Sequence, residues 1–280
     1  MSESCVQDAW AESLAQFHDS GAVVLSDLYP SDLVRRACDE LPSLLAEQGP
    51  HTFKESDGET VRAVYGLHGR DGVWREMAEL PALHQVIADV LGEEYYLFQW
   101  KINPKAPTTG EEWEWHRDFV YWHLEDGMPA PHAVTAAVFL SDVTPASGPT
   151  QVIRGSHRLP LSGSEQRQLG RRERGQDDEE DWTVLVANGL PYTVSNDEAD
   201  RLCAVHGVVE GVGAPGSALL FHSNAIHGSR PNTSESLRVV AFLTFNPVAN
   251  EPRQASPRPG YFVNKDPVPL SRLARGGGRG

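Results

Sequence analysis

Apolar side chains at the start of the chain recur at helical spacing. Trp10, Leu14 and Phe17 share one face and Gly21 follows where a helix would stop, which predicts a short amphipathic helix over about 8–20. Residues 22–25 then form a short apolar strand. Ser31 is placed to cap a second helix that carries Leu33, Val34, Cys38, Leu41 and Leu44 and is ended by Gly49-Pro50. From Tyr95 the period changes. Short β-prone runs at 95–100, 134–140, 218–221 and 239–245 alternate with turns rich in Gly, Pro, Asn and Ser. That texture predicts a helix-rich portion over 1–94 and a strand-rich core over 95–250, built as a sandwich or jelly roll and not as a parallel sheet with crossover helices.

Two stretches depart from the pattern. Residues 162–181 hold Arg171-Arg172-Glu173-Arg174 and then an acidic run from Asp177 to Asp181, opposite-sign blocks that read as a solvated insertion, with a mobile lid over the site as the alternative. The tail over 270–280 is dominated by Gly and Arg and is expected to be disordered. With 280 residues and 40% apolar content, the chain is long enough for one large core, and it is read as a single domain over 1–280.

Charge and cysteine content narrow the function. A net charge of -15 argues against a phosphate-tracking surface, so no nucleic-acid partner is expected. Cys5, Cys38 and Cys203 are far apart and outside any CxxC spacing, which indicates neither a disulfide framework nor a thiolate zinc site and fits a reducing cytoplasm. The first residues lack a basic-then-apolar pattern, and no apolar run of about 18 residues occurs, so neither secretion nor membrane insertion is expected.

The chemistry is carried by His116-Arg117-Asp118, His227 and Arg238. Side chains two apart on a strand point to one face, roughly 7 Å from each other, so His116 and Asp118 can converge on an ion while Arg117 looks away. His222 and His227 compete for a third ligand position. Their odd spacing puts them on opposite faces of a straight strand, and His227 is favoured because the turn after it, Gly228-Ser229-Arg230-Pro231-Asn232, allows a hairpin to return Arg238 beside the metal. Two imidazoles and one carboxylate on one face of iron(II) leave positions open for a chelating cosubstrate and O2. Zinc fits less well, since no carboxylate is assigned as general base. A buried guanidinium at 238 suits the far carboxylate of 2-oxoglutarate.

Around these residues the chain resembles the phytanoyl-CoA dioxygenase-like superfamily, in the branch of ectoine hydroxylase and bacterial free-proline 4-hydroxylases. The resemblance is carried by Trp115-His116-Arg117-Asp118-Phe119 and Trp122-His123-Leu124-Glu125-Asp126-Gly127-Met128-Pro129. Thr60-Val61-Arg62-Ala63-Val64-Tyr65-Gly66 and the run from Phe98 to Pro107 extend it upstream, and Gly148-Pro149, Gly155-Ser156-His157 and His227-Gly228-Ser229 downstream. It covers roughly 61–246. It implies a mainly β fold with a double-stranded β-helix core (jelly-roll, cupin-like) flanked by N-terminal helices, using iron(II), 2-oxoglutarate and O2 to hydroxylate a small free molecule with release of succinate and CO2.

By the same resemblance His116, Asp118 and His227 hold the iron and Arg238 binds 2-oxoglutarate, with Gln99, Asn103 and Thr135 also touching it. Gln99 and Asn103, four apart, share one strand face. Trp122 corresponds to a substrate-pocket wall. Arg62 is a candidate clamp for a substrate carboxylate, with an outward-facing strand arginine as the alternative, and His123 is a candidate for the pocket rim. His132 and His157 read as structural. A carboxylate at 118, where chlorinating relatives carry Gly or Ala, implies hydroxylation. The expected substrate is a free cyclic amino acid, proline or pipecolic acid; Val120 and Tyr121 depart from the ectoine pattern. The alternatives are an ectoine or acyclic amino-acid hydroxylase, a desaturating or cyclising oxygenase of the same fold, and a noncatalytic cupin-like sensor of metal and 2-oxoglutarate.

Overall fold

A computed structural model of the chain describes residues 3–173, 190–253 and 258–270. Its elements in order are α1 (Glu3–Ser20), β1 (Ala22–Leu25), α2 (Ser31–Leu45), β2 (Thr52–Lys54), β3 (Val61–Tyr65), α3 (Val73–Ala78), α4 (Pro81–Leu91), β4 (Tyr95–Lys105), β5 (Trp113–His116), α5 (Asp118–Asp126), β6 (Val134–Phe139), β7 (Thr150–Ile153), α6 (Gly163–Glu173), α7 (Asn196–His206), β8 (Val208–Glu210), β9 (Ala218–His222), β10 (His227–Ser229) and β11 (Arg238–Pro247). The strands pair antiparallel throughout, in a seven-stranded sheet of order β1-β9-β6-β11-β4-β3-β2 and a four-stranded sheet of order β5-β10-β7-β8.

The large sheet is buried on both faces, and its two-residue alternation decides which side chain goes where. Ala136, Val138, Ala218, Leu220, Val239, Ala241 and Leu243 pack with Leu33, Val34, Ala37, Leu41 and Leu44 of α2 and with Leu83 and Ile87 of α4. Their neighbours Ala137, Phe139, Leu219, Phe221, Val240 and Phe242 pack instead with Val152 and Val209 of the small sheet. Each fully buried Leu, Val or Phe here contributes roughly 1.5–3 kcal/mol relative to exposure. In β4 the ladder slips by one residue, because Thr244 opposes Gln99 while Phe245 opposes Leu97. The extra residue, Phe98, resets the alternation. Leu97, Trp100 and Ile102 face the helices, whereas Gln99, Lys101 and Asn103 face the interior between the sheets.

Several expectations need correction. The helix-rich first portion and the strand-rich core are present, but helix supplies more described residues than strand, so "mainly β" fits the core and not the chain. Pro30 precedes α2 and Ser31 is its first helical residue. Residues 163–173, expected in a solvated insertion, form α6, and its Glu165 is fully buried. The rest of that insertion, 174–181, and the tail over 271–280 lie outside the described residues. Leu270, at the head of the tail, donates its backbone N–H to Tyr95 O at 2.8 Å. No described helix is long and apolar enough to cross a membrane.

Candidate metal centre and its two cavities

His116 is the last residue of β5 and Asp118 the first of α5, with Arg117 between them in extended conformation at the helix N-cap. Asp118 is therefore not on a strand, as the spacing suggested. It begins a helix, where the free N–H groups of the first turn favour a carboxylate. His227 opens β10 and pairs across the ladder with His116. Gly228, next to it, passes so close to β5 that a Cβ would lie 2.9 Å from Trp113 O.

Candidate ligand atoms of His116, Asp118 and His227 lie within 4.8 Å of one another. Each Nε2 is 3.7 Å from an Asp118 carboxylate oxygen. The Nδ1 of His116 lies 2.6 Å from Glu114 O, and that of His227 3.1 Å from Ala225 O. A carbonyl only accepts, so each Nδ1 carries a proton and each Nε2 is the atom turned toward Asp118. Burial first, and then the neighbouring His116, pull the His227 imidazole down to about 4, so it is neutral at physiological pH. Burial would raise the Asp118 carboxyl, but a proton on His227, the hydrogen bond from a protonated His116 Nε2 and the charge of Lys101 outweigh it and hold the group well below the usual carboxylate range. Two imidazole nitrogens and one carboxylate fit a facial iron(II) site.

His222 stays outside this cluster. It ends β9 in the large sheet, its Nδ1 accepts the Asn224 N–H at 3.0 Å, and its ring lies 5.2 Å from that of His157. The chain turns between His222 and His227 and changes sheet, so His227 joins the cluster by that turn and not by alternation along one straight strand. Arg238 likewise does not return by a hairpin with β10: β11 belongs to the large sheet, and the two sheets facing each other bring Arg238 to the site.

Two cavities meet at His116 and Asp118, and His227 lines the first of them. The first is lined by Lys101, Asn103, Trp113, Thr135, Thr150, Ser229, Arg238, Phe242 and Thr244 besides His116, Asp118 and His227. Arg238 is buried, donates through Nη2 to Thr150 Oγ1 at 3.1 Å, and has no acceptor at Nε among the described residues. Burial lowers its pKa to about 10, which still leaves a cation at neutral pH. Asn103 Oδ1 is also buried without a described donor, and Thr135 Oγ1 is 2.9 Å from Thr244 Oγ1. The second cavity is lined by Tyr65, Gln99, Tyr121, Trp122, Leu190, Arg258 and Phe262, and shares Lys101, Trp113, His116 and Asp118 with the first. Gln99 donates from Nε2 to Phe262 O at 3.2 Å, and Phe262 stacks on Tyr65 with centroids 4.2 Å apart. Arg258 is paired in two-pronged fashion with buried Asp126.

Gln99 and Asn103 do share one face, but they open onto different cavities. Trp122 lines the second cavity. Arg62 and His123 line neither. The Arg62 guanidinium donates to Glu55 Oε2 at 2.6 Å and to Glu112 O at 2.9 Å and lies 3.9 Å over the Trp113 ring, so it braces the shared wall from behind. His123 is exposed near the end of α5 and donates from Nδ1 to Met128 O at 2.8 Å.

Arg117 faces away from the cluster as expected but is fully buried. It donates to Glu165 Oε1 at 3.1 Å, Ser156 O at 3.0 Å, Asn224 O at 2.7 Å and Pro160 O at 3.1 Å. One guanidinium thus ties the His116-Asp118 segment to the turn before His227 and to α6. Lys101, Tyr65, Tyr121, Leu190, Arg258 and Phe262 were not anticipated. For Lys101 the signal was present, since it lies between Gln99 and Asn103 at the same-face spacing; the others come from segments whose approach to the site no local pattern encodes.

A sequence model of the family described as phytanoyl-CoA dioxygenase (PhyH) matches residues 17–240. L-proline trans-4-hydroxylase of Streptomyces griseoviridis is 38% identical over 237 residues, spanning 85% of this chain and 86% of that protein. Ectoine dioxygenase of Sphingopyxis alaskensis is 31% identical over 275 residues, 95% and 86% of the two chains. The solved structure of EctD from S. alaskensis with 2-oxoglutarate and 5-hydroxyectoine matches with a TM-score of 0.77 at 30% identity, over 93% of this chain and 86% of that one. The same protein with bound Fe gives 0.75 at 29% identity, over 93% and 85%.

Proposed function

The chain belongs to the phytanoyl-CoA dioxygenase family, and from that premise we propose that it is an iron(II)- and 2-oxoglutarate-dependent hydroxylase of a small free amino acid, most consistent with a cyclic one such as L-proline or L-pipecolate. The observation that carries the reading is the position of His116 and Asp118, with His227 beside them, in the wall between two cavities that each hold a buried arginine, Arg238 in one and Arg258 in the other. A dicarboxylate cosubstrate needs one such cation, and an amino-acid carboxylate needs the other.

In this reading His116, Asp118 and His227 hold iron(II). When bound with 2-oxoglutarate and O2, the metal supplies the oxidising power that puts one oxygen atom into a C–H bond while 2-oxoglutarate leaves as succinate and CO2. The protein's residues do the positioning. Arg238, with Thr150 beside it, grips the distal carboxylate of 2-oxoglutarate, and Asn103 and Thr135 line its path. Arg258, held by Asp126, meets the substrate carboxylate. Gln99, Tyr65, Trp122 and Phe262 enclose the carbon skeleton and exclude water, fixing which C–H faces the metal; an ångström of misplacement there costs heavily in rate.

We read the two sheets as the halves of a double-stranded β-helix. Successive strands β4, β5, β6 and β7, and again β9, β10 and β11, alternate between the large and the small sheet. The whole of 1–280 is read as one dioxygenase domain acting in the cytoplasm. Proline is favoured over ectoine as a substrate by the 38% identity to the proline hydroxylase against 31% to the ectoine enzyme.

The test is aerobic incubation with ferrous iron and 2-oxoglutarate across free amino acids and ectoine, with succinate and product mass as readouts. A gain of one oxygen matched by succinate supports hydroxylation, and a loss of two hydrogens points to desaturation or cyclisation. Tight 2-oxoglutarate binding without succinate from any candidate replaces the reading with a sensor.

A further inference from the structure

We propose that Leu190, just beyond the connection that follows α6, is the wall residue that sets the ring size of the substrate. The inference rests on the amino-acid hydroxylase reading and adds a specificity determinant outside the strands that carry the metal ligands. Among the described residues lining the second cavity, Leu190 is the single aliphatic one. The rest are aromatic, charged, imidazole or amide. It is buried, and it packs in a cluster with Val120, Tyr121 and Tyr192.

Its placement is enforced by the backbone around it. The Leu190 N–H donates to Glu114 Oε2 at 2.7 Å. Tyr121 OH accepts from the Tyr192 N–H at 3.1 Å and donates to Tyr192 O at 3.0 Å. The Val194 N–H donates to Trp115 O at 2.7 Å, and Thr193 bridges antiparallel to His116. Residues 190–194 therefore run along the edge of β5, registered against the strand that delivers His116. Glu114 links the two directly, since its carboxylate holds Leu190 while its carbonyl holds the His116 ring.

A side chain without polar atoms discriminates by shape alone. The charged lining residues, Arg258 and Lys101, hold the charged end of an amino acid, which leaves the carbon ring to meet Leu190. In an apolar pocket one methylene is worth about 10- to 200-fold in discrimination. That is the difference between five- and six-membered rings.

The experiment compares kcat/KM for L-proline and L-pipecolate in the wild type, Leu190→Ala and Leu190→Phe. The expected result is a shift of the ratio toward pipecolate by about tenfold or more in the Ala variant and a shift toward proline in the Phe variant, with the KM for 2-oxoglutarate nearly unchanged in both. A ratio that neither variant moves overturns the proposal. The same ratio is read as Kd by calorimetry on protein loaded with iron and 2-oxoglutarate under nitrogen. Absence of turnover in the wild type then removes the hydroxylase reading while the wall is still scored from binding, and binding of neither ring removes both.

Discussion

The first cavity is built almost wholly from strands, with Asn103 on β4, Thr135 on β6, Thr150 on β7, Ser229 on β10 and Arg238 and Thr244 on β11. Each is fixed by ladder hydrogen bonds, such as the register that sets Thr244 opposite both Thr135 and Gln99. The second cavity takes Tyr121 and Trp122 from α5, Leu190 from a connection, and Arg258 and Phe262 from the segment after the last strand. One side is strand scaffold almost throughout, while the other adds a helix and connecting segments to the strand residues Tyr65, Gln99, Lys101, Trp113 and His116. That division suits a cosubstrate that never changes against a substrate that differs between relatives, because connections can be rebuilt without moving the sheets.

The two sides can be separated by substitution. Asp118→Ala removes a ligand both sides depend on, and iron-dependent succinate formation is expected to fall below detection; unchanged turnover would take the carboxylate out of the metal site. Arg117→Ala leaves Glu165 buried without its partner and should cost about 3–5 kcal/mol in a urea titration, a loss that would show α6 to be part of the scaffold and not an appendage. Arg238→Gln should raise the 2-oxoglutarate requirement by roughly ten- to a hundredfold with little change in the KM for the amino acid. Arg258→Gln should do the reverse, raising the amino-acid KM by about tenfold and sparing 2-oxoglutarate. If either arginine variant affects both ligands equally, the division between cavities is wrong.

The smallest effect is a pH dependence. Burial first, and then the nearby His157, His132 and His18, lower the His222 imidazole from 6.5 to about 4. As pH falls through that window the unfolded chain takes up a proton that the folded chain refuses, so stability present above 6.5 is lost toward 4. His222→Asn should flatten the slope of stability against pH by at most one proton, read from denaturation midpoints between those limits.

What could be read from the residues was chemistry with a local period. The same-face spacing of Gln99 and Asn103 and the β-prone runs at 134–140 and 239–245 follow from strand geometry. What could not be read was the meeting of distant segments. Arg258 reaches the site by pairing with Asp126, far away in sequence. Glu165 sits in a stretch whose composition is that of a solvated face, yet it is buried because Arg117 needs a counterion. Arg62 fits a substrate clamp by type, but it lines neither cavity and lies behind Trp113, paired with Glu55. Each of these is a pairing between buried charges, and no periodicity encodes a partner.

The central claim is that His116, Asp118 and His227 hold one iron(II) on which both cavities open. Anaerobic calorimetric titration of ferrous iron, with and without 2-oxoglutarate, tests it most directly. The account predicts one ion per chain, 2-oxoglutarate binding that requires the ion, and loss of both in His227→Ala with the fold intact. Iron binding of unchanged affinity and stoichiometry in that variant would contradict it.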